Sequence, residues 1–163
     1  MIFCMDAEYF AQRMMCTRED KMECLPVIRQ LLDLAYAAQN YGPLVMEAMV
    51  RDRLRYPDAF LRKAVQLAAE VADPEKIDKV LYNLIVTTKY VAKSHFLKDV
   101  LIAETMLAVS RKDDLDYVFA HLLPSYFGME YAEAAEEVYR VYKQDRIDKG
   151  IITEENQAQQ EED

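Results

Sequence analysis

At 163 residues the chain is about the length of one domain, long enough to bury a sizeable core without disulfide or metal staples. Hydrophobic residues make up 52%, while three Gly and five Pro leave little material for tight hairpins, which argues against an all-β chain. The net charge is −9, and five of the negatives fall in the last fourteen residues, which hold no Lys or Arg. A basic footprint for nucleic acid is absent, and an anionic membrane surface would repel the chain.

Taken in chain order, the N-terminal MIFCMDAEYF has neither a basic start nor a long apolar stretch, so it does not read as a signal peptide. No charge-free run approaches the ~20 residues of a membrane-spanning helix. Both readings predict a cytoplasmic protein without membrane insertion. Cys4, Cys16 and Cys24 are an odd number with no C-x-x-C pair, which fits reduced thiols.

Residues 6–15 form the first helix candidate. Thr17 and Asp20 have the spacing of an amino-terminal cap, but Pro26 lacks a backbone donor, so the main helix is expected to start near Pro26 and run to about Asn40. Tyr41-Gly42-Pro43 then stops the chain and restarts it as a helix to about Leu54. Phe60, Leu61, Ala64, Leu67, Ala68 and Val71 form one helical stripe after Pro57-Asp58. Asp73-Pro74 opens the next helix, with Asp73 as cap and Pro74 at the first helical position. Leu97, Val100, Leu101, Leu107 and Ala108 continue the pattern from Ser94, as do Leu115, Val118, Phe119 and Leu122 before Pro124. The last helix spans about Tyr131 to Asp148, with Ala134, Ala135, Val138, Tyr139 and Tyr142 inward.

Together these elements predict an all-α fold: a helical bundle of about six to seven helices in antiparallel pairs, with residues 1–150 as a single helical domain. The polar, acidic segment 151–163 is expected to be a disordered tail.

Catalytic motifs are absent. No phosphate-binding Gly loop, nucleophile elbow or H-E-x-x-H occurs, and the residues three before His95 and His121 are Ala92 and Val118 rather than the Glu of a di-iron bundle. Cys16 and Cys24 with a histidine would suit zinc, but their eight-residue spacing matches no common knuckle. No cofactor, metal or catalytic residue is assigned, and the chain reads as a non-enzyme. Glu104 stands out because it lies on an apolar stripe, where burial demands a partner, expected to be a cation or a helix amino terminus. Met46 and Met49 share a helix face and read as core packing.

Residues 28–85 carry Gly42, Glu47, Pro57, the Phe60-Leu61-Arg62-Lys63 segment and the Asp73-Pro74-Glu75 turn. In that order they resemble the cytoplasmic loop of the MotA-like flagellar motor stator family, and residues 96–127 are similar to the tail after that family's last membrane helix. The resemblance covers a little over half of the chain and lacks the family's transmembrane helices. It implies a helical protein acting by contact with a flagellar rotor or stator component. The family's rotor-facing charges, an Arg three residues before the Gly and a Glu five after it, correspond here to Gln39 and Glu47, so the cation is lost. A partner surface is therefore expected around Glu47, Arg51, Arg53 and Arg55, and self-association is compatible with it. The alternative is a helical-repeat adaptor module that binds a peptide or protein unrelated to flagella.

Overall fold

The computed structural model describes residues 7–150; the tail expected over 151–163, and Cys4, lie outside the described residues. Short α1 (Ala7–Met14) leads into α2 (Arg18–Tyr41), followed by α3 (Leu44–Met49), α4 (Ala59–Glu70), α5 (Pro74–Thr87) and α6 (Lys93–Arg111). The chain then forms α7 (Leu115–Tyr117), a π-helical turn (Val118–Leu122) and α8 (Leu123–Ser125) as one unbroken helical path, and ends in α9 (Gly128–Asp148). Eight helices result, and no strand is present among the described residues.

The bundle is organised around α6, which packs against α1, α2, α4, α5 and α8. Its residues from Phe96 to Ala108 are buried on every side except at Lys98. A helix apolar all round belongs at the centre of a bundle, and FLKDVLIAETMLA meets that condition where the one-sided stripe of the sequence reading did not. Ile28, Leu31, Leu32 and Leu34 of α2, Leu61 and Val65 of α4, and Ile77, Leu81 and Ile85 of α5 close around it as one core.

Short turns make α5 antiparallel to both of its neighbours. In contrast, α2, α4 and α6 run in the same direction. Cys24 of α2 and Asp58 at the start of α4 both meet the first turns of α6, through the Ser94 carbonyl and Lys98, while Ala38, Ala69 and Val109 lie together at the opposite ends.

The expected start of the main helix near Pro26 is corrected by eight residues. Thr17 Oγ1 accepts from the Asp20 amide at 3.2 Å and Asp20 Oδ2 accepts from the Thr17 amide at 3.0 Å, a reciprocal capping box that starts α2 at Arg18. Pro26 sits exposed inside the helix, which tolerates the missing donor because Val27, Ile28 and Leu31 just beyond it are anchored in the core. The helix expected to reach Leu54 stops at Met49, because Asp52 accepts from the Leu54 and Arg55 amides and turns the chain there. The helical path after Leu115 passes through Pro124 instead of ending before it. The π turn immediately ahead, where the Leu123 amide donates to the Val118 carbonyl, shifts the ladder just where Pro124 interrupts it.

Asp73 caps α5 as expected, accepting from the Glu75 amide at 3.0 Å, and Asp58 caps α4 in the same way, accepting from the Leu61 amide at 2.8 Å. On α9, Ala135, Tyr139 and Tyr142 face inward; the Tyr36 and Tyr139 hydroxyls lie 3.4 Å apart, and Tyr139 donates to Asp116.

Candidate partner surface

Glu47 lies on α3, and the three arginines lie on the turn that follows it. Met46 and Val50 are buried, pinning α3 to the bundle, and the Val50 amide makes the closing bond to the Met46 carbonyl at 3.0 Å. Asp52 ends the helix. Its Oδ1 accepts from the amides of Leu54 and Arg55 at 3.1 and 3.2 Å, and its carbonyl accepts from the Tyr56 amide at 2.9 Å. An aspartate that binds backbone two and three residues ahead replaces a further helical turn with a tight loop. Tyr56, 1% exposed, anchors the far side of that loop.

The loop therefore carries Arg51, Arg53 and Leu54 on the outside, with Leu54 97% exposed. Arg55 is exposed but tethered: its Nη2 lies 3.0 Å from Asp33 Oδ2 of α2, its carbonyl accepts from Gln30 Nε2 at 3.0 Å, and its guanidinium stands over the Tyr56 ring. Glu47 is half-buried. Leu44 and Tyr41, at the start of α3 and the end of α2, are also largely exposed. The sequence reading found the charges and missed these apolar side chains, because a helix drawn through to Leu54 hid the turn; Asp52 within Arg51-Asp52-Arg53 was the available signal.

Other sequence candidates fall elsewhere. Glu104 is 2% exposed, and among the described residues its hydrogen-bond partner is the Tyr126 hydroxyl, which donates to Oε1 at 2.9 Å. Burial pushes its pKa up and the tyrosine bond partly offsets that rise. A second buried carboxylate, Asp99, went unremarked in the sequence; Tyr90 donates to its Oδ2 at 2.8 Å. Burial raises Asp99 to about 6 against the lowering effects of Tyr90 and Lys98. His95 and His121 are both exposed, and among the described residues no hydrogen bond joins either to Glu104.

Cys16 Sγ lies 3.7 Å from the Lys93 carbonyl and Cys24 Sγ lies 3.3 Å from the Ser94 carbonyl. Burial pushes the Cys24 thiol up to about 12, so it behaves as a small core residue. Among the described residues no group of three or more His, Cys, Asp and Glu is arranged to hold a metal ion. Met46 is fully buried core and Met49 packs partly against it. No helix among the described residues is long and apolar enough to cross a membrane. Compared with known proteins, the chain matches no family model, no curated relative and no solved structure.

Proposed function

We propose that the chain acts by protein–protein contact through α3 and the loop 50–55, binding an acidic partner surface that offers an apolar recess for Leu54. The observation that carries this reading is Leu54, 97% exposed on a rigid, hydrogen-bonded turn between exposed Arg53 and tethered Arg55. A large apolar side chain held out on an ordered loop suits an interface anchor, and arginine is enriched where binding energy concentrates. The flanking arginines would steer an acidic partner before contact.

The resemblance of residues 28–85 to the stator family's cytoplasmic loop nominates a flagellar rotor component as the first partner to test. Purified rotor protein is passed over immobilised full-length chain, and association rates are followed by surface plasmon resonance at low and high salt. Arg51→Glu with Arg53→Glu is expected to slow association most at low salt, where the Debye length reaches about 30 Å at 0.01 M. Leu54→Asp is expected to speed dissociation. Both variants should melt with the wild type, because exposed side chains contribute little to folding. Binding with an unchanged rate and salt dependence would reject the surface, and no binding by the wild-type chain would reject the rotor component as partner.

A further inference from the structure

The parallel run of α2, α4 and α6 brings three helix carboxyl ends to one place. A cleft of about 660 Å³ opens there, with walls that include Ala38 and Gln39 from α2, Ala69 and Glu70 from α4, and Val109 and Ser110 from α6. Its size falls in the range of small-molecule sites, and its walls combine small and apolar side chains with polar and charged ones.

The electrostatics of this cleft are one-sided. Each helix carboxyl end carries roughly half a negative charge in unsatisfied carbonyls, which a Lys, Arg or His in the last turn normally offsets. Neither α2 nor α4 has a basic residue in its last turn, whereas α6 has Arg111 there. Among the described residues the carbonyls of Gln39, Ala69, Glu70 and Ser110 accept no hydrogen bond. Glu70 and Asp113 belong to the same lining, and among the described residues neither forms an ion pair; Glu70 accepts from Gln66. Among the described residues Lys112 is the single cation in the lining, on a left-handed residue with φ 60°.

We infer that this cleft binds a small organic ammonium ion with an alkyl body, the ammonium group taking hydrogen bonds to the free carbonyls and the Glu70 and Asp113 carboxylates while the alkyl chain packs on Ala38, Ala69 and Val109. An ammonium group supplies three donors and no acceptor, which matches a rim made of acceptors. An anion of the same shape meets repulsion from the carboxyl ends of α2, α4 and α6, and a neutral alcohol forgoes the charge.

The test titrates isotopically labelled full-length chain with hexylammonium, hexanoate and 1-hexanol, following backbone amide signals by NMR. Hexylammonium is expected to shift the amides of Ala69, Glu70, Ser110 and Asp113 saturably, with hexanoate at least about tenfold weaker and hexanol in between. Glu70→Gln with Asp113→Asn should weaken hexylammonium about fivefold without changing the melting temperature, since each charge contributes a modest share. Ala69→Leu should fill the cleft and abolish the shifts; should that variant fail to fold, the charge-neutral pair decides. Equal response to hexanoate, shifts that fall away from the cleft, or no effect of neutralising Glu70 and Asp113 would each overturn the proposal.

Discussion

Asp99 and Glu104 lie on different sides of the central helix, and each is held by one tyrosine from outside it. Tyr90 sits in the connection before α6 and Tyr126 in the turn after α8. A carboxylate buried against a neutral hydroxyl keeps most of its desolvation cost, so the charged form is disfavoured. For Asp99 burial holds the folded pKa at about 6, above the ordinary aspartate value, with Tyr90 and Lys98 working against burial and Asp58 adding to it. A group raised on folding contributes stability that is full below its unfolded pKa and is lost as pH rises through its folded pKa. The stability of the wild type relative to Asp99→Asn should therefore fall by about 2 kcal/mol between pH 4 and pH 7. Urea unfolding of both proteins at the two pH values measures it, and a constant or rising difference would contradict the assignment. The sequence exposed Glu104 because Leu97, Leu101 and Ala108 mark one stripe around it. Asp99 escaped notice because it lies off that stripe, and only a helix buried on all sides makes such a position interior.

For whole elements, the start of α2 is where local chemistry and local prohibition compete. Thr17 and Asp20 favour a helix from Arg18, while Pro26 opposes one across its own position. The capping box satisfies free amides at the amino terminus, and one missing bond in an exposed stretch does not outweigh that together with the anchoring of Val27, Ile28 and Leu31. Two substitutions should consequently act in opposite directions. Thr17→Ala should destabilise by about 0.5–2 kcal/mol through loss of the cap, whereas Pro26→Ala should stabilise, by up to ~3 kcal/mol, by restoring a donor and removing a clash. Thermal unfolding followed by circular dichroism checks both signs, and a stabilising Thr17→Ala would show that the helix does not depend on its cap. Boundaries made by a side chain next to its own turn, such as Asp58 and Asp73, were legible in the sequence for the same reason. The end of α3 was not, because Asp52 looks like one more charge on a helix face until its carboxylate turns back on the Leu54 and Arg55 amides.

In the whole molecule, periodicity made the all-α bundle legible, but not which helix lies in the middle. Every helix of a bundle shows an apolar stripe, and centrality depends on how many neighbours cover the remaining faces. Among the described helices only α6 is covered by five, and this has a consequence for local stability. Amides in packed, water-excluded helices exchange with solvent only when the molecule unfolds globally, whereas elements with few buried contacts open on their own. The segment from Phe96 to Ala108 should be the slowest-exchanging part of the chain, and its exchange free energies should equal the global unfolding free energy. By contrast α1, which has no buried residue, and α3, where Met46 alone is buried, should exchange by local opening at much lower cost. Native-state hydrogen exchange read by mass spectrometry resolves these segments. Val100→Ala, deep in α6, should lower protection along the whole helix together with global stability, by about 1–3 kcal/mol for two lost methyl groups and the space they leave, while Val91→Ala, 94% exposed, should leave both unchanged. If α6 exchanged as fast as α1, or if Val100→Ala altered only its own turn, the chain would have to be held together by the outer helices rather than by the one they surround.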